Sequence, residues 1–73
     1  MNAGVLIKNA RKAKDLTQKQ LGELAGIAEP TIRRYELGKL NPKYETLQRI
    51  AAALGVPVDS LIDDPNRFDV EDI

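Results

Sequence analysis

LTQKQLGELAGIAEPTIRRYELG, residues 16–38, carries the punctuation of two short helices joined by a tight turn. Thr17 stands where a cap for the first helix belongs. Its hydroxyl can accept from a free amide of the first turn, and Gln20, three residues on, can return a bond to the Thr17 backbone. Leu16 just outside and Leu21 at the fourth helical position have the spacing of a hydrophobic staple. Leu21, Leu24 and Ala25 then recur at i, i+3, i+4 and predict a narrow apolar face. Gly26 falls where a left-handed residue would end this helix.

Ile27 and Ile32, five apart, repeat the staple spacing and predict a second helix capped near Ala28. Its inner face is Ile32 and Tyr35, and Gly38 ends it. At about 100° per residue, Pro30, Arg33, Arg34 and Leu37 point the other way. Two short helices, a glycine turn and a cationic outer face describe a helix-turn-helix, with a second helix of a size to enter a DNA major groove. A plainer reading stands beside it. Helix–glycine–helix corners occur throughout all-α domains, and two adjacent arginines generally mark a solvated face.

Upstream, Met1 to Gly4 reads as a frayed end and Val5 to Lys14 as the first helix, with Leu6, Ile7, Ala10 and Ala13 as its apolar stripe and Lys8 and Lys12 opposite. Asp15 closes it. Arg11 is a misfit, four residues after Ile7 on the edge of the buried stripe. Glu36 is the same kind of misfit, four after Ile32. Two opposite charges intruding on two apolar faces predict that they meet, since neither could be buried alone; the alternative is that each side chain reaches water separately.

Downstream, Lys39-Leu40-Asn41-Pro42-Lys43 reads as a loop, with Asn41 as a cap and Pro42 at the first position of a fourth helix. Tyr44, Leu47, Ile50, Ala51 and Leu54 are its apolar face, and Gly55 ends it. A last short turn is expected from Asp59 to Ile62. From Asp63 the chain, DDPNRFDVEDI, is acidic, contains Pro65, and reads as a flexible tail. No internal repeat or low-complexity segment interrupts this order. The expectation is therefore one helix-turn-helix domain over 1–62 and an acidic tail over 63–73.

Composition narrows the function classes. Seventy-three residues make one domain near the lower size for unaided folding. With neither cysteine nor histidine, a disulfide framework, a thiolate zinc site, a Cys nucleophile and a His general base are all excluded. No apolar run approaches the roughly 18 residues of a membrane span, and no signal-peptide core is visible, so a soluble, cytoplasmic protein is expected without membrane association. The formal net charge is zero. That average conceals a basic body: residues 1–58 hold ten Lys/Arg against five acids, and residues 59–73 hold six acids against Arg67 alone.

With these residues in view, the chain resembles the phage repressor/Cro-like helix-turn-helix family, the XRE family, from about Leu6 to Ile62. The motifs in register are Arg11, Leu16-Thr17-Gln18, Leu21, Leu24, Gly26, Thr31 to Lys39, Asn41-Pro42 and Leu54-Gly55-Val56. The resemblance implies an all-α, compact five-helix bundle that binds double-stranded operator DNA, commonly as a homodimer on two half-sites. It further implies that Gln18 touches a phosphate beside the cap Thr17, and that Ala28, Glu29, Pro30, Thr31, Arg33 and Arg34 face the groove. Lys39, Asn41 and Lys43 would lie along the DNA backbone, and Arg11 and Glu36 match an ion pair buried in members of the family.

Four positions depart from the family pattern. Gly22 replaces a usual alanine; it fits close helix packing but costs about 1 kcal/mol of helix propensity relative to alanine. Lys43 replaces a serine cap, so the fourth helix is expected to start earlier, at Pro42. Glu29 and Pro30 replace polar or basic readers; proline fits a first turn but pushes Glu29 toward extended geometry.

The leading expectation is a sequence-specific transcriptional regulator, a repressor in the family's pattern, with no catalytic residues, metal or cofactor. The alternative is an antitoxin-like protein-interaction module whose acidic tail binds a basic protein partner. An enzyme is third, because Asp63 and Asp64 lie in a tail with nothing to position them. For the dimer, Val58, Leu61 and Ile62 are the expected apolar contacts.

Overall fold

The structure is a computed structural model that describes residues 3–62; the expectations for the 63–73 tail lie outside the described residues. Within them are four α-helices, α1 (Ala3–Ala13), α2 (Gln18–Ala25), α3 (Glu29–Glu36) and α4 (Tyr44–Leu54). In the fifth position stands a single 3-10 turn, Val58–Leu61, so the fifth helix of the expected bundle is reduced to that turn.

Each element contributes one side chain that is sealed from solvent. Ile7 comes from α1, Leu21 from α2, Ile32 from α3, Ile50 from α4 and Leu61 from the 3-10 turn. Ala25, Tyr35, Leu47, Ala51 and Leu54 complete the core. α3 packs against both α1 and α2, α4 against α2, and the 3-10 turn against α4 and α1. α3 is thus gripped on its inner side by the two helices that precede it.

The local signals explain where the elements stop. At α2, Thr17 and Gln20 form a reciprocal capping box: the Gln20 amide donates to Thr17 Oγ1 at 3.0 Å, and the Thr17 amide donates to Gln20 Oε1 at 2.9 Å. Gly26, with φ of 72°, then reverses the chain, and the Gly26 and Ile27 amides both return to the Gly22 carbonyl. Gly38, with φ of 75°, does the same after α3, where the Lys39 amide donates to the Arg34 carbonyl at 3.0 Å. α1 ends instead on Asp15, the one non-glycine residue with positive φ (58°) among the described residues.

Six local expectations are corrected. α1 starts at Ala3 rather than Val5 and buries Gly4, so that end is not frayed from Ala3 onward, and Ala13 is exposed in its last turn. Leu24 is 61 % exposed, because α2 buries the side carrying Leu21, Gly22 and Ala25. α4 starts at Tyr44, with Lys43 as an extended cap that makes no side-chain bond; Asn41 and Pro42 lie in the loop before it. A proline φ serves extended chain as well as a first helical turn, which is why that signal misled. Tyr44 opens the helix and is left 55 % exposed at its rim. Leu61 belongs to the core of its own chain and offers nothing to a second one.

Candidate nucleic-acid interface

The surface in question is the outer side of α3 and the loop that follows, and its geometry begins from behind. Arg11 on α1 and Glu36 at the end of α3 form a two-pronged ion pair. Arg11 Nε donates to Glu36 Oε2 at 2.7 Å, and Nη2 donates to Oε1 at 3.0 Å. The third arm, Nη1, donates to the Leu16 carbonyl at 2.7 Å, in the connection from α1 to α2. Gln18, the first residue of α2, adds a bond from Nε2 to Glu36 Oε1 at 3.1 Å. The Arg11 and Glu36 side chains are only 10 % and 3 % exposed. One carboxylate therefore ties together α1, the α1–α2 connection, α2 and α3, and sets the angle at which α3 leaves the domain.

In front, Pro30, Arg33, Arg34 and Leu37 are all exposed on the outer face of α3, while Thr31 at its edge is half-buried. Leu37 is 62 % exposed. Ala28 is the extended residue that caps α3 without a side-chain bond, and Glu29 is the first helical residue. The expectation that Pro30 would leave Glu29 extended does not hold: Glu29 is the first helical residue, and the extended residue is the cap, Ala28. Glu29 Oε2 lies 3.8 Å from Arg33 Nη2, one helical turn on, with both side chains well exposed. In the loop, Lys39, Asn41 and Lys43 are exposed. Arg33 and Arg34 on α3 and Lys39 and Lys43 in the loop that follows are thus four exposed cations, with Glu29 beside Arg33.

Thr17 and Gln18 sit differently. The Thr17 hydroxyl is engaged in its capping box. Gln18 is half-buried and spends one amide hydrogen on Glu36, which leaves the second hydrogen and the carbonyl oxygen for the surface. Among the described residues, no cluster of acidic side chains could hold a metal ion.

One positioning residue escaped the sequence reading. Arg49 on α4 donates through Nη2 to the carbonyls of Ala25 and Gly26, at 2.9 and 2.8 Å, closing the C-terminal end of α2. Nothing in its spacing marks it, since the acceptors are backbone atoms more than twenty residues away. Gly22, expected to fit close helix packing, does so against the turn. A Cβ there would run into the carbonyl oxygen of Ile27, so the turn lies directly on the helix and requires glycine.

Against known proteins, the helix-turn-helix family model matches residues 7–61. An uncharacterized HTH-type transcriptional regulator of Bacillus subtilis, YqaE, is 41 % identical over 56 residues, which is 77 % of this chain and 48 % of that protein. The immunity repressor protein of Bacillus phage phi105 is 37 % identical over 62 residues, covering 85 % of this chain and 43 % of the repressor. The chain spans about half the length of these curated relatives. Among solved structures, the N-terminal DNA-binding domain of SinR from Bacillus subtilis superposes with a TM-score of 0.78 at 33 % identity, covering 86 % of this chain and 93 % of that domain.

Proposed function

We propose that this chain, which belongs to the helix-turn-helix family, is the DNA-reading domain of a transcriptional regulator, with α3 as the helix that enters the major groove. The observation that carries this reading is the two-sided character of α3. Its inner face is fixed by a buried carboxylate network, and its outer face offers two exposed arginines and no buried contact. A helix held that rigidly can present side chains to base edges without paying to order them at each encounter.

Affinity would come from the phosphate backbone and selectivity from the groove. Lys39 and Lys43, flanking Asn41 in the α3–α4 loop, suit the backbone, as does the outward edge of Gln18 beside Thr17. Arg33 and Arg34 suit guanine, whose O6 and N7 accept two parallel bonds from one guanidinium. Ala28, Pro30 and Thr31 line the same approach, and Glu29 sits where it steadies Arg33. The DNA-binding unit is assigned to residues 1–62, and its place of work to the cytoplasm, where the DNA is. Because one eight-residue helix touches few bases, we assign a homodimer to the DNA-bound state, with half-sites about one helical turn apart. The half-buried Val58 and Ile62 remain its apolar contacts after Leu61 is assigned to the core.

The test is selection from random duplexes, followed by titration of the selected site at several salt concentrations. Each neutralised phosphate adds roughly −0.9 to the log–log slope, so Lys39→Ala and Lys43→Ala are each expected to flatten it by about one unit without changing the selected sequence. Failure to bind any duplex at low salt would end this reading. A single unrepeated element bound by one protomer would end the dimer.

A further inference from the structure

The charge of this chain is divided by position. Residues 3–62 hold ten Lys/Arg against six acids, and residues 63–73 hold five acids against Arg67 alone. The acids of the domain do little to offset its outward cations. Glu36 is spent on Arg11 behind α3, and Glu29 meets Arg33 at 3.8 Å. Among the described residues, Arg34, Lys39 and Lys43 have no carboxylate partner. The outer face of α3 and the loop after it therefore form an uncovered cationic surface, and the same chain carries a run of carboxylates to match it.

The two are within reach of each other. The 3-10 turn packs against α1, and α1 packs against α3, so Ile62 stands about two interhelical spacings, roughly 20 Å, from α3. Asp69, Glu71 and Asp72 lie seven to ten residues beyond Ile62, and extended chain of that length spans up to about 23–33 Å. Resting on the proposal that α3 meets DNA, we infer that these three carboxylates dock on Arg33, Arg34, Lys39 and Lys43 and compete with DNA phosphates for them. Lys8 and Lys12 on α1 are nearer to the 3-10 turn, but each offers a carboxylate only a point charge. A guanidinium takes a carboxylate through two parallel hydrogen bonds, which favours the face that carries both arginines. Tethering supplies the carboxylates at an effective concentration of about millimolar, so contacts that are individually weak suffice. Three or four exposed ion pairs, each worth a factor of about two at low salt, together set DNA back roughly tenfold.

The chain has no cysteine, so Val70→Cys gives a single attachment point for a nitroxide spin label. In the whole chain at low salt and without DNA, the label is expected to broaden the amide resonances of residues 33–43 more than those of Lys8 and Lys12. That broadening is expected to vanish at about 1 M salt, where screening shortens to roughly 3 Å. It is also expected to vanish when Asp69→Asn, Glu71→Gln and Asp72→Asn are introduced together. Without the label, the same triple substitution is expected to tighten binding to every duplex roughly tenfold at low salt, a gain that shrinks as salt rises. Broadening centred on Lys8 and Lys12, or spread evenly over the surface, overturns the docking. Tighter DNA binding by the triple variant without broadening at α3 in the parent overturns it too, since that is plain repulsion between carboxylates and phosphates. An unchanged DNA affinity in the triple variant overturns the competition. If no duplex binds at all, the reading of α3 as a DNA-binding helix falls, and the spin label alone decides whether the carboxylates dock there.

Discussion

Removing one partner of the Arg11–Glu36 pair is the most demanding test of how this domain is held. In Arg11→Ala, Glu36, whose side chain is 3 % exposed in the intact domain, keeps the 3.1 Å bond from Gln18 and loses the donors at 2.7 and 3.0 Å. The Leu16 carbonyl loses its donor as well. A buried charge stranded in this way costs on the order of 3–5 kcal/mol. A domain of this size has a total stability of about 4–11 kcal/mol. Each kcal/mol moves the midpoint by roughly 4–8 °C, so the midpoint of thermal unfolding followed by circular dichroism is expected to drop by at least about 12 °C. The paired replacement Arg11→Met with Glu36→Leu removes both charges together and leaves no ion stranded. It is expected to be more stable than either single variant, because the penalty lies in the unmatched charge rather than in the missing bond. A midpoint for Arg11→Ala within about 2 °C of the parent, or a double variant whose loss equals the sum of the two single losses, would refute the claim that the two residues act as one buried unit.

Two further outcomes follow from single contacts. Gly22→Ala is expected to destabilise by about 1–3 kcal/mol in denaturant titration despite the better helix propensity of alanine, because the new Cβ meets the Ile27 carbonyl; unchanged or raised stability would show that the turn can shift. Glu29→Gln is expected to tighten binding to all duplexes by roughly two- to fivefold at low salt, the effect of removing one exposed charge, and to leave the selected sequence unchanged. A loss of binding confined to one cytosine-bearing position would instead make that carboxylate a base reader.

What could be read from the chain in advance were the interactions whose two halves are close in sequence or whose chemistry allows no other outcome. Thr17 and Gln20 are three residues apart, and the glycines at 26, 38 and 55 each adopt the left-handed conformation that ends a helix. Arg11 and Glu36 are 25 residues apart, yet each was legible as a charge on an apolar stripe, and such a charge has few ways to survive burial. Leu24 failed for the opposite reason. Its spacing from Leu21 is that of a buried neighbour, but the side of α2 that meets the domain is rotated toward Gly22, where the Ile27 backbone packs. A glycine contributes no hydrophobicity to a periodic pattern, so the pattern pointed about one residue to the wrong side. Arg49 was illegible because carbonyl oxygens of the main chain leave no mark in a sequence.

The two faces of α3 answer to different constraints, and that division explains which residues can vary at little cost. Ile32, Tyr35 and Glu36 face inward and are fixed by the core and by Arg11. Pro30, Arg33, Arg34 and Leu37 face outward, where a substitution ordinarily changes stability by no more than about 0.5 kcal/mol. A domain built this way can exchange its outward residues and keep the angle at which α3 is presented, because that angle is set by a carboxylate on the other side of the helix. Gln18 is where the division breaks down. One hydrogen of its amide steadies Glu36 from α2, and the rest of the group faces the surface assigned to the phosphates. If Gln18 meets a phosphate as proposed, docking on the backbone and aiming at the bases share one amide, so Gln18→Ala is expected to alter affinity and the presentation of α3 together.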